Sequence, residues 1–193
     1  MEPTRRLAAL AWTRGRYLRG PSAYAKHHHL LDLFCQRGHS LLVEAGTYKG
    51  ETVAFFVSRG AQVVSVELHP DLYADAVRRF ACEPGVFLVH GDALVEIPRI
   101  VANLFAPPLV FLDGHYSGAG TAAGEVMEPA AAMLSSLGKT APPGTTVVID
   151  DLRLFGSGLL GHPQLDELTA AARKGFPNAN IRTGLDSVVI ENP

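Results

Sequence analysis

The sequence predicts an α/β protein built on a seven-stranded, mostly parallel sheet with helices on both faces. Three observations predict it. From residue 41 onward, short runs rich in Val, Leu and Ile alternate with helix-patterned stretches. The runs are continuously apolar, as in parallel strands covered on both faces. The last two runs are separated by only Gly184-Leu185-Asp186, a link that suits an antiparallel hairpin rather than a crossover.

In chain order, strands are expected at residues 41–44, 63–67, 86–90, 109–113, 145–150, 180–183 and 187–191. Helices are expected at 50–58, 70–80, 93–103, 122–137 and about 163–174. Glycine-rich loops stand at 114–121 and 156–161. Residues before 40 read as two helices packed on the sheet. The chain thus divides into an N-terminal helical segment, 1–39, and a ligand-binding domain, 40–193.

A length of 193 residues suits one domain with a good-sized core. The net charge of −2 supplies no basic field for nucleic acid. Cys35 and Cys82 match no metal or redox spacing and are expected to be buried thiols in a reducing compartment. No apolar run is long enough to cross a membrane. The run 7–12 is short for an export signal and ends at Arg14 and Arg16, so a cytoplasmic protein is expected. Arg5, Arg6, Arg14, Arg16, Arg19 and Lys26 face only Glu2 in the first 26 residues. That bias reads as a solvated helix or arm, or alternatively as a basic lid for an anionic substrate. The same helices could pair two subunits, so a homodimer is a possible assembly.

In open α/β sheets, ligands sit at the carboxyl ends of the strands. The segment Glu44-Ala45-Gly46-Thr47-Tyr48-Lys49-Gly50 has the corresponding form of strand, glycine turn and helix. Gly46 allows a ligand to approach the backbone, and Gly50 allows the helix start to pack against the strand. Backbone N–H groups there can hold a carboxylate, with Thr52 adding a hydroxyl. Glu44 can accept from an ammonium group. Glu67, ending the second strand, can take two ribose hydroxyls. Asp92, within His90-Gly91-Asp92-Ala93, can contact an adenine amino group or cap the following helix, and the two are compatible. A dinucleotide is the nearest rival ligand, but its fingerprint wants three glycines, and Tyr48 fits poorly against a pyrophosphate.

The stretch Val43 to Thr52 resembles motif I of class I S-adenosylmethionine-dependent methyltransferases, and is especially similar to the catechol and caffeoyl-CoA O-methyltransferase group. Glu67 and Gly91-Asp92 fall where that family's next motifs stand. The resemblance covers residue 41 to the end. It implies a Rossmann-like sheet of seven strands, the last antiparallel. It also implies S-adenosylmethionine held by Glu44, Gly46, Thr47, Tyr48, Gly50, Thr52, Glu67, Leu68, Gly91, Asp92, Ala93 and Asp113.

Asp113 closes the fourth strand and Asp150-Asp151 the fifth, so three carboxylates should converge beside the cofactor. Clustered carboxylates repel unless protonated or bound to a cation. Oxygen ligands suit Mg²⁺, Mn²⁺ or Ca²⁺. The similar O-methyltransferases place a divalent metal on the positions that Asp113, Asp150 and Asp151 match. Strand-end aspartates also commonly cap helices and turns.

Methyl transfer to a hydroxyl needs alignment and a proton acceptor. Catechol-type enzymes place a lysine base where this chain has Tyr116. His115 is the better candidate base, or alternatively a metal ligand or loop anchor. Asp113, His115 and Tyr116 are thus the candidate catalytic residues. Glu125, Glu128 and His162 read as helix-start or loop residues. The short chain leaves no large substrate domain, which favours a small-molecule acceptor. The expected activity is metal-assisted O-methylation. The alternatives are metal-independent transfer to N, C or O with His115 as base, a non-catalytic binding protein of the same fold, and an NAD-linked oxidoreductase.

Overall fold

A computed structural model describes residues 20–113, 129–156 and 164–193. Strands β1 (Leu41–Ala45), β2 (Gln62–Glu67), β3 (Val86–His90), β4 (Leu109–Leu112), β5 (Thr146–Ile149), β6 (Asn180–Gly184) and β7 (Ser187–Glu191) form one sheet. Helices α1 (Ala23–Gln36), α2 (Glu51–Val57), α3 (Pro70–Arg79), α4 (Ala93–Val101), α5 (Pro129–Thr140) and α6 (Leu165–Gly175) surround it. The strand order is β3-β2-β1-β4-β5-β7-β6. Strands β1 to β5 pair in parallel, and β7 runs antiparallel between β5 and β6. This is the Rossmann-like architecture expected, with the order in which strands are added reversing between β1 and β4.

The period-two alternation of a strand divides the core. Val43, Ala45, Val110, Leu112, Val147, Ile149, Val188 and Ile190 join Ile97, Val101, Leu134, Leu137 and Leu168 on the face covered by α4, α5 and α6. Leu42, Leu109, Phe111, Val148 and Val189 join Leu30, Leu33, Phe34, Val53 and Phe56 on the face covered by α1 and α2. Glu44 shares the second face by the same alternation. So does Asp150, two residues beyond Val148.

Two helices were expected before residue 40; the described residues there hold α1 alone, and the basic residues 5–19 lie outside them. Cys35 and Cys82 are exposed rather than buried. The stripe of α1 that faces the sheet runs through Leu30, Leu33 and Phe34, and Cys35 falls past its edge. Cys82 follows α3 in a turn. Among the described residues, no helix is long and apolar enough to cross a membrane.

Candidate functional site

The carboxyl ends of β1, β4 and β5 open onto a cavity of about 340 Å³ roofed by α1. Its lining includes Glu44, Gly46, Thr47, Tyr48, Gly50, Thr52, Asp113 and Asp150, together with Lys26 and His27 of α1. The order β1-β4-β5 makes these strand ends neighbours, as the sequence predicts.

The turn after β1 is held open by backbone conformation. Gly46 has φ +86° and donates its N–H to the Val66 carbonyl at 2.9 Å. A Cβ there would meet nothing within 4 Å, so the space beside it is open to a ligand. Gly50 has φ +72°, and a Cβ would collide with the Phe80 ring at 2.6 Å. The close approach that requires glycine is therefore made to the residue following α3, not to the strand expected from sequence. Tyr48 also takes a left-handed conformation, φ 47°, and is 61% exposed.

Glu44 is 2% exposed and accepts from the Ser65 hydroxyl at 2.7 Å. The Thr47 and Ser65 hydroxyls are themselves 2.7 Å apart. Burial pushes the Glu44 carboxyl up to about 8, against the pull of hydrogen bonds from Ser65 and Thr52; the charges of Asp113 and Glu67 push the same way. Thr52 also approaches His27 Nε2, at 3.4 Å. Burial lowers the His27 pKa, with Glu51 opposing, so this imidazole is neutral at pH 7. Ser65 and His27 both stand outside the site residues expected from the sequence.

Glu67 is held by two backbone donors, Tyr48 N–H at 2.8 Å and His69 N–H at 2.9 Å, one to each oxygen. These bonds fix the plane of the carboxylate and leave it lone pairs for further donors. Asp92 caps α4 by accepting from Leu94 N–H at 2.9 Å, and is otherwise exposed. Leu68, just past β2, is 42% exposed, whereas the Ala93 side chain is packed in the core, so Ala93 can meet a ligand only through its backbone. His115, Tyr116, Glu125, Glu128 and His162 lie outside the described residues.

The acidic group departs from expectation in membership and in charge. Among the described residues, the carboxylates with oxygens within 4.8 Å of one another are Asp150, Asp151 and Asp186 of the β6–β7 turn; Asp113, expected in the set, is not among them. The hairpin folds Asp186 back toward the end of β5, where Asp186 C=O accepts from Leu152 N–H at 2.7 Å. Lys26 Nζ stands 2.5 Å from Asp150 Oδ2 and 2.8 Å from Asp151 Oδ1. The Arg153 guanidinium lies 2.6 Å from Asp151 Oδ1 and also pairs with Asp186. Burial pushes Asp150 up to about 6 even with Lys26 opposing. Burial pushes Asp151 up too, but Lys26 and Arg153 together hold it below the usual carboxylate range. Lys26 is raised, because its two carboxylates outweigh its own burial. The oxygens are near enough for a divalent ion, but two side-chain cations already occupy the space between them, so the donor set does not fit a metal as it stands.

No protein-family model matches the chain, and no curated protein matches it by sequence. Solved structures do match by fold. A caffeoyl-CoA O-methyltransferase-like protein of Staphylococcus aureus superposes with a TM-score of 0.60 at 15% identity, over 100% of this chain and 92% of its own. The O-methyltransferase TomG of Streptomyces achromogenes, in complex with S-adenosylmethionine, gives 0.57 at 17% identity, over 100% and 90%. A Podospora anserina methyltransferase bound to S-adenosylhomocysteine gives 0.60 at 15% identity, over 99% and 88%. The chain has the Rossmann-like fold that these S-adenosylmethionine-dependent methyltransferases share.

Proposed function

We propose that the chain is an S-adenosylmethionine-dependent methyltransferase acting on a small-molecule hydroxyl. The observation that carries this reading is Glu44, a buried carboxyl on the cavity wall beside the open turn at Gly46. A buried carboxyl that, among the described residues, is supported only by hydroxyls is matched to a ligand that brings its own cation, as the amino-acid end of S-adenosylmethionine does. The fold neighbours that hold this cofactor or its product support the same choice.

In this reading, the N–H groups at the start of α2 face the cofactor carboxylate. Glu67, oriented by Tyr48 and His69, takes the ribose, and Leu68, Asp92 and the Ala93 backbone border the adenine. The acceptor enters on the β4–β5 side, between Asp113 and Asp150 and beneath α1. An acceptor oxygen lone pair attacks the methyl carbon, the carbon–sulfur bond breaks, and its electron pair stays on sulfur. The hydroxyl proton passes to a base. Among the described residues, His27 is the imidazole that lines the cavity, neutral at pH 7 and able to accept it. His115 is the second candidate for that role. The cavity volume suits small ligands.

Calorimetric titration with S-adenosylhomocysteine and, separately, with NAD⁺ tests the reading. Binding of the first alone is expected. Binding of NAD⁺ in its place would move the chain to hydride chemistry and sink the proposal.

A further inference from the structure

The sheet-facing stripe of α1 runs Lys26, Leu30, Leu33, at helical spacing. The first place on that stripe holds a lysine where an apolar residue would otherwise pack. Beneath it lie the Asp150 and Asp151 side chains, 4% and 1% exposed, while the Lys26 side chain is 23% exposed and lines the cavity. Divalent ions need several oxygens converging on one point at about 2.0–2.6 Å. Here the oxygens that could converge are turned toward an ammonium on one side and the Arg153 guanidinium on the other. The two aspartates come from the end of β5 and the lysine from a helix 124 residues earlier, so the fold itself delivers the cation to the strand end.

We infer that Lys26 takes the place of a divalent metal, so that the site excludes such ions and presents the acceptor with an ammonium donor. The inference rests on the methyltransferase reading for what the ammonium serves. An ammonium has three donors. Two go to Asp150 and Asp151, and among the described residues the third N–H has no partner. It therefore offers the acceptor one hydrogen bond, where a metal offers two adjacent positions. Chelation by neighbouring hydroxyls confers no advantage at such a site, and the acceptors it suits carry a single reacting oxygen.

The test is Mn²⁺ binding to the full chain, followed by electron paramagnetic resonance, with S-adenosylhomocysteine binding measured in parallel by calorimetry. The unmodified chain is expected to bind no Mn²⁺ more tightly than about 1 mM. Lys26→Ala, which uncovers Asp150 and Asp151, should gain affinity by about tenfold or more. Lys26→Arg, which keeps a cation, should exclude the ion as the parent does. Micromolar Mn²⁺ binding by the unmodified chain, lost in Asp150→Asn, overturns the inference even if Lys26→Ala fails to fold. A folded Lys26→Ala without any gain overturns it equally, since nothing was being displaced. A chain that excludes Mn²⁺ but does not bind S-adenosylhomocysteine contradicts the methyltransferase reading instead, and leaves the displacement of metal by Lys26 standing.

Discussion

Glu44 at the end of β1 and Asp150 and Asp151 beyond β5 share one edge of the sheet, and all three are at most 3% exposed. Their charges are handled in opposite ways. Asp150 and Asp151 meet two side-chain cations, Lys26 and Arg153. Glu44 has hydroxyl partners, and among the described residues no lysine or arginine pairs with it. Burying an uncompensated carboxylate costs so much that the group holds its proton instead. Asp150 and Asp151 thus meet their cations within the chain, while among the described residues Glu44 meets none. On that difference rests the proposal that the cofactor's ammonium meets Glu44 and the acceptor enters beside Lys26.

The largest effect is expected at Glu44. Glu44→Gln keeps the shape and the hydrogen bond from Ser65 but cannot carry charge. S-adenosylhomocysteine affinity should fall by about 100-fold, the 2–5 kcal/mol typical of truncating a buried charge pair. Unchanged affinity would show that Glu44 is structural. On the other side, Lys26→Met leaves two buried carboxylates facing one guanidinium. A loss of about 2 kcal/mol in urea unfolding is expected, less than for a fully buried pair because Lys26 is partly exposed. Gly50→Ala must hold φ +72° against the Phe80 ring, and should cost about 2 kcal/mol while distorting the turn between β1 and α2. Little or no loss would mean that Phe80 swings aside. Cys35→Ser should change stability by less than about 0.5 kcal/mol. In the native chain Cys35 should react readily with a thiol reagent, because it stands outside both cores.

Glu44 also sets a pH dependence with a definite sign. Its folded-state pKa, about 8, lies above the ordinary 4.5. Between those values the folded chain holds a proton that the unfolded chain has lost. Its contribution to stability is complete below pH 4.5 and disappears as pH rises through about 8. Glu44→Gln should remove that slope from the ligand-free protein, as seen by comparing denaturation midpoints at several pH values.

The sheet was legible because each buried parallel strand is a continuous apolar run, and because a three-residue link admits only a hairpin. The positions of Glu44, Glu67, Asp92, Asp113 and Asp150 at strand ends followed directly. What the sequence hid was pairing across long separations. Lys26 read as one charge in a basic arm, since its partners stand 124 and 125 residues away. Asp186 read as a turn residue, because only the folded hairpin carries it back to β5. Ser65 is one polar residue within an apolar strand; the signal that could have found it is its register opposite Glu44 on β1. Lys26 had a signal as well, four residues ahead of Leu30 on the stripe that faces the sheet.

A buried, protonated Glu44 is proposed to receive the cofactor's ammonium group. Calorimetric titration with S-adenosylhomocysteine at pH 7, in two buffers of different ionisation enthalpy, measures the protons exchanged on binding. With Glu44 near 8 before binding and ionised afterwards, release of about one proton per ligand is expected. Binding without proton release would contradict the role assigned to Glu44, and no binding at all would contradict the methyltransferase reading itself.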